Sequence, residues 1–129
     1  GVKSIRAYDP LAMEEAQRTW FNPEKNHLFE RISYHETAKE ALEGSDALYI
    51  STDWEEFRGL SRTIEKTVSL PYLVIDGRRM IPDYEMLVAK GYNYLAVGGP
   101  LLHLPASKAH SDNGQVPGKD AAELEKQVA

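Results

Sequence analysis

The chain contains no cysteine in its 129 residues. Disulfides, thiolate zinc sites and catalysis by a thiol are therefore excluded from this polypeptide. A reducing, cytoplasmic setting is compatible with that composition and is the expected location. Positive charge is not in excess either: 15 Lys and Arg against 20 Asp and Glu leave a formal charge of −5. A nucleic-acid partner calls for a basic face, so that class is set aside. An anionic small molecule is still accommodated, because a few placed arginines build a local positive site in an acidic protein. No run reaches the roughly 18 apolar residues of a membrane span, and no signal-peptide pattern opens the chain. The strings G-x-S-x-G, H-E-x-x-H and the P-loop do not occur. His27, His35, His103 and His110 lack metal-ligand spacing, so solvated histidines and no metal are expected. The chain opens on Gly1, which points to a removed tag or to a segment of something longer.

What is present is ordinary for a globular domain: 42% hydrophobic and 27% charged residues, enough for one core. Short apolar runs alternate with helical patterns. Residues 4–8 read as a strand, and Asp9-Pro10 then opens a helix with Asp9 as N-cap and Pro10 at the first helical position. Leu11, Ala12, Ala16 and Trp20 follow at helical spacing. A second strand is predicted over 31–33. Ser33 and Glu36 have capping-box spacing for a helix through Leu42, which Gly44 ends in the left-handed region. Strands over 46–51, 72–75 and 94–97 enclose helical segments at 54–66, interrupted by Gly59, and at 82–91. Residues 104–129 are polar, with a short helix predicted over 121–128 in a flexible tail. Strands alternating with helices predict an α/β fold with a mostly parallel sheet.

In open parallel sheets, ligands bind beyond the carboxyl ends of the strands. That rule selects Asp9-Pro10, Ser51-Thr52-Asp53-Trp54, Asp76-Gly77-Arg78-Arg79 and Gly98-Gly99-Pro100. Gly77 allows a sharp turn that presents Arg78 at the sheet rim, where a guanidinium clamps a phosphate through paired hydrogen bonds. Position alone favours reading Arg78 as a surface arginine or as a partner of Asp76 or Asp53. Thr52 offers a hydroxyl, Asp53 a helix cap and Trp54 a seal against the core. Asp9 occupies a place where an acid binds the ribose of NAD, but that signature needs a Gly-rich turn about twenty residues upstream. Only eight residues precede Asp9, and Pro10 favours the cap.

Four segments in order carry a resemblance: Ala7-Tyr8-Asp9-Pro10, Ser45 through Phe57, Ile75-Asp76-Gly77-Arg78-Arg79, and Gly91 through Gly98. Together they resemble the C-terminal domain of the UDP-glucose and GDP-mannose dehydrogenase family, with its Y-D-P, D-A-L-V-I-x-T-E-W-x-x-F, D-G-R and G-x-x-Y-x-x-I-G motifs. The resemblance spans roughly residues 1–100, and each motif is weak alone. The threonine-acid-tryptophan block leans toward the UDP-glucose branch. The resemblance implies a Rossmann-like three-layer sandwich. It also implies a UDP-sugar-binding domain over 1–103, incomplete at its N-terminus, followed by the tail 104–129. The activity implied is a two-step, NAD-dependent oxidation of UDP-glucose to UDP-glucuronate. NAD and the cysteine nucleophile belong to an N-terminal domain outside this chain, so this chain alone is expected to be inactive, with no catalytic residue of its own.

By the same resemblance Arg78, with Gly77, contacts the nucleotide sugar, while Thr52, Trp54 and Asp76 act as scaffold. The implied partners are UDP-glucose or a related nucleotide sugar, the NAD-binding domain and further copies of the chain. Alternatives are a UDP-N-acetylhexosamine or GDP-mannose dehydrogenase, or a non-catalytic oligomerisation or regulatory module. A receiver-like domain needs an acidic cluster after its first strand, where only Asp9 stands. Two departures stand out. The family's G-x-x-F-K strand and N-T-D-D-x-R loop are not in the sequence, and Gly98-Gly99 replaces a common Gly-Arg. In a 3-2-1-4-5-6 order the missing first strand is central. Its neighbours, the strands of Ile5 and Leu48, are then expected to show unpaired backbone and apolar faces. Direct pairing of those two strands would contradict this reading.

Overall fold

Three parallel strands form the centre of the computed structural model, which describes residues 1–105. They are β3 (Ala47–Ile50), β4 (Leu73–Asp76) and β5 (Asn93–Ala96), in register from Ala47 opposite Leu73 to Asp76 opposite Ala96. A short strand β6 (Leu101–Leu102) turns back antiparallel to β5. Two further strands, β1 (Ile5–Ala7) and β2 (Ile32–Tyr34), pair in parallel as a separate ribbon. The expected α/β class and mostly parallel Rossmann-like arrangement are therefore present. β6 was not foreseen, because two leucines after Gly98-Gly99-Pro100 show no periodicity that marks a strand.

β1 and β3 share no ladder, in keeping with the expectation that a strand between them lies outside this sequence. Their surroundings are correspondingly open. Ile5 is 48% and Tyr49 65% exposed, which is unusual for side chains of such size in a parallel sheet.

The helices are short. The Asp9 Oδ1 accepts the N–H groups of Leu11 at 2.9 Å and Ala12 at 2.8 Å, but this closes the turn ahead of the first helix, whose own N-cap position is Ala12 with no side-chain cap, so Pro10 is not its first residue. The helix α1 (Met13–Glu15) then widens into a π-helical turn over Ala16–Trp20. Its apolar positions did not become core, since Leu11 and Trp20 stay exposed. The two-stranded ribbon beside it is too narrow to bury them. The second cap also differs from expectation. Thr37, not Ser33, caps α2 (Ala38–Leu42), accepting the N–H of Glu40 at 3.1 Å, and Glu40 reaches back to the N–H of Glu36. Ser33 is held inside β2, where strand pairing takes precedence over the capping pattern. A 3₁₀ turn over Glu55–Gly59 leads into α3 (Leu60–Thr67), with the change of helix type at Gly59. The last helix, α4 (Tyr84–Ala89), ends before Gly91, where φ is +101°.

Leu42, Ile50, Phe57, Leu60, Ile64, Tyr72, Val74, Leu87 and Tyr94 form one core. It joins α2, α3 and α4 to alternate positions of β3, β4 and β5, as the twofold strand period requires. The ribbon is fastened to this body by polar contacts. Arg6 donates to the free carbonyls of Ala41 and Glu40 at the end of α2, and Tyr8 donates to Glu56. The tail predicted over 104–129 lies, beyond Pro105, outside the described residues, and so does the helix predicted over 121–128.

Candidate ligand site at the strand ends

The carboxyl ends of β3, β4 and β5 converge on one shallow cleft of about 290 Å³, lined by Asp53, Gly77, Arg78, Arg79 and Val97. The parallel register dictates this. Ile50, Asp76 and Ala96 end their strands side by side, so the residues that follow each strand meet at a common rim. A larger hollow of about 500 Å³ opens at the ends of β1 and β2. Its acidic lining is Asp9, Glu14 and Glu36, which disfavours an anion. The smaller cleft has the guanidinium groups that an anion requires.

Asp76 is the foundation of the site. Its side chain is wholly buried, and its oxygens accept three bonds: Met80 N–H at 2.8 Å, Ile81 N–H at 2.9 Å and the Tyr94 hydroxyl at 2.8 Å. The first two pin the loop that follows β4. The third ties it to β5. Burial first, then the Asp76 carboxylate, drives the Tyr94 hydroxyl far above its ordinary range, so it remains a proton donor. Asp76 therefore cannot serve Arg78. That choice between Asp76 and Asp53 was open in the sequence and is made by the direction of the Asp76 side chain.

Gly77 is required by space. A Cβ there would lie 2.6 Å from the Ile50 carbonyl oxygen and 3.0 Å from the Tyr49 ring, and the Gly77 N–H donates to the same carbonyl at 3.0 Å. The left-handed residue of this turn is Arg79, at φ 53°, an uncommon conformation for a side chain of its kind. The Arg79 guanidinium donates to the Val97 carbonyl at 2.6 Å, bridging the end of β4 to the end of β5.

Arg78 donates to Asp53 at 3.1 Å, with both side chains more than half exposed. This exposed pair is screened and contributes little to stability. The hydrogen bond from Arg78 holds the Asp53 carboxyl below its ordinary range. The predicted capping role of Asp53 is not realised. Trp54 occupies the N-cap position of the 3₁₀ turn, with no side-chain cap, and the Asp53 carboxylate faces Arg78.

Thr52 is half-buried and does not line the cleft. Trp54 packs on the edge of the core, and its indole N–H donates to Asp9 at 2.9 Å. The cleft thus unites Gly77 and Arg78 from the predicted set, uses Asp76 from beneath and leaves Thr52 and Trp54 at its flank. Sequence reading passed over Arg79. Its only signal was adjacency to Arg78, because the carbonyl that orients it comes from the far side of a crossover. Among the described residues no group of acidic or histidine side chains is arranged to hold a metal, and no helix is long and apolar enough to cross a membrane.

Comparison with known proteins bears on the same residues. The family model described as "UDP-glucose/GDP-mannose dehydrogenase family, UDP binding domain" matches residues 1–83, which include Asp76, Gly77, Arg78 and Arg79. UDP-glucose 6-dehydrogenase TuaD of Bacillus subtilis is 34% identical over 98 residues, 76% of this chain and 19% of its own length. YwqF of the same organism, also named a UDP-glucose 6-dehydrogenase, is 36% identical over 94 residues, 73% of this chain and 19% of its own. The UDP-glucose 6-dehydrogenase of Rickettsia felis is 34% identical over 103 residues, 79% and 21% respectively. The chain spans about a fifth of the length of these curated relatives.

Proposed function

The chain belongs to the UDP-glucose/GDP-mannose dehydrogenase family, and from that premise we propose that it is the UDP-binding portion of an NAD-dependent UDP-glucose 6-dehydrogenase. The observation that carries this reading is the pair Arg78 and Arg79 in one cleft beyond the carboxyl ends of three parallel strands. Two guanidinium groups at a sheet rim suit a diphosphate, and an α/β crevice of this kind suits a nucleotide. The names of the relatives support UDP-glucose as the substrate over a GDP-sugar or an acetylated hexosamine.

In this proposal the chain binds and orients the nucleotide, and the oxidation belongs to a part of the enzyme outside this sequence. NAD, when bound, supplies the hydride acceptor. The described residues do not suit it. Asp9, the acid placed like a ribose ligand, is already committed to Leu11, Ala12 and Trp54. The chain also has no cysteine to serve as a nucleophile. Its partners are then the NAD-binding domain and further copies of the chain, in the cytoplasm.

Calorimetric titration with UDP tests the reading. The unsubstituted chain binds UDP, and Arg78→Ala weakens binding by about tenfold or more, the loss of one charge-assisted contact. The chain alone does not reduce NAD in the presence of UDP-glucose. Equal UDP affinity in the two proteins removes Arg78 from the site.

A further inference from the structure

We infer that Asp53 is a built-in competitor for the ligand phosphate, occupying Arg78 in the free protein and releasing it when a diphosphate enters the cleft. The inference deepens the UDP-binding reading and rests on it. Two observations carry it. Asp53 and Arg78 line the same cleft, and the Asp53 carboxylate sits 3.1 Å from the Arg78 guanidinium, the place a phosphate oxygen would take. The two cannot bind that face of the guanidinium at once.

The neighbouring arginine is held differently. Arg79 bonds to a neutral carbonyl, that of Val97, and among the described residues it makes no ion pair. No described carboxylate lies within 4.0 Å of its guanidinium nitrogens, so it meets a phosphate without displacing a carboxylate first. The cleft has one fixed cation and one that is masked. The mask is exposed and reversible. Arg78 and Asp53 retain 51% and 68% of their side-chain exposure, so water and salt already loosen the pair. Asp53 is also unsuited to a structural role: it caps no helix and bonds no other described side chain than Arg78.

The consequence is selectivity by charge. A ligand must offer more than a carboxylate does in order to displace Asp53, and a diphosphate, with its higher charge and more acceptor oxygens, meets that requirement. A neutral sugar or a nucleoside does not.

The experiment is a UDP titration of four versions of this chain by calorimetry: unsubstituted, Asp53→Asn, Arg78→Ala and the double variant. Inorganic pyrophosphate serves as a second probe free of base and sugar. Circular dichroism establishes that each chain is folded. Asp53→Asn is expected to tighten UDP and pyrophosphate by roughly three- to tenfold, the scale of an exposed ion pair plus relief of carboxylate–phosphate repulsion. That gain is expected to vanish when Arg78 is already alanine. Unchanged or weaker binding by Asp53→Asn overturns the inference while leaving the UDP site intact, provided Arg78→Ala still weakens binding. A gain of equal size in both backgrounds also overturns it, because Asp53 then acts by general repulsion and not through Arg78. Failure of the unsubstituted chain to bind UDP, or indifference to Arg78→Ala, overturns this inference together with the UDP-binding reading.

Discussion

The indole N–H of Trp54 donates to Oδ2 of Asp9 at 2.9 Å, joining the end of β3 to the end of β1 although the two strands do not pair. Asp9 thereby serves two elements: one oxygen closes the turn that leads into α1 and the other anchors the ribbon to the main sheet. Tyr8 adds an edge-to-face contact with Phe57, at 6.2 Å between ring centroids. Trp54→Phe keeps most of the apolar area and deletes the hydrogen bond. We predict a loss of about 1–2 kcal/mol for a bond to a charged acceptor. Native-state hydrogen exchange should place the effect in β1 and β2, with amides of β4 and β5 nearly unchanged. Uniform deprotection across both sheets would show that the ribbon is not held in this way.

Asp9 also predicts an acid response. Partial burial raises its pKa, but the bonds from Leu11, Trp54 and Ala12 together outweigh that and hold it below its ordinary value of 3.8. A carboxyl with a depressed folded pKa contributes stability above its unfolded pKa and loses it as pH falls through the folded one. The Asp9 contribution is therefore complete at about pH 5 and above, begins to fall near the unfolded value and is lost only as pH drops through the lower folded value. Urea denaturation of the unsubstituted chain and Asp9→Asn from pH 7 to pH 2.5 should show a stability gap that is constant at first and narrows at the acid end. A gap that widens on acidification would contradict the bonding described.

Gly77→Ala should be costly for lack of space. The added methyl meets the Ile50 carbonyl at 2.6 Å, and backbone on backbone has little room to give. We predict destabilisation by about 1–3 kcal/mol. UDP binding should weaken as well, because the shift is transmitted to Arg78. A chain of unchanged midpoint in urea would mean that the loop after β4 relaxes freely.

Asp76→Asn and Tyr94→Phe separate the parts of the buried network. Whichever way round its amide sits, asparagine presents an NH₂ to the N–H of Met80 or of Ile81, leaving a buried donor facing a donor. We predict a loss of about 2–3 kcal/mol for it and about 1 kcal/mol for Tyr94→Phe, which leaves two of the three bonds to Asp76 in place. The urea midpoint should fall in that order with an unchanged slope.

Much of the architecture was legible along the chain. The apolar runs marked β3, β4 and β5 to within a residue or two, and Gly44 and Gly91 marked helix ends because both adopt positive φ. The first cap was readable in its contacts, which join near neighbours, but not in its place, because α1 begins at Met13 and not at Pro10. The second was misread, because Ser33-Glu36 and Thr37-Glu40 offer the same spacing and only pairing of β2 with β1 removes Ser33 from the choice. The spacing of Leu11, Ala12, Ala16 and Trp20 marks a helical face, yet nothing local says whether a surface wide enough to bury it lies beneath, and Leu11 and Trp20 stay exposed.

The sequence by itself determined the alternation of strands and helices, the absence of thiol chemistry and the presence of Asp76-Gly77-Arg78 at a strand end. Those depend on periodicity, composition and bonding between neighbours. The tertiary structure alone decided that Asp76 turns inward to Tyr94, that Arg78 meets Asp53, and that Arg79 joins the cleft through Val97. Each partner arrives from a strand other than β4, Asp53 from beyond β3, Tyr94 from β5 and Val97 from just past its end, brought there by parallel pairing, and no local pattern encodes which carboxylate or carbonyl will be waiting at the rim.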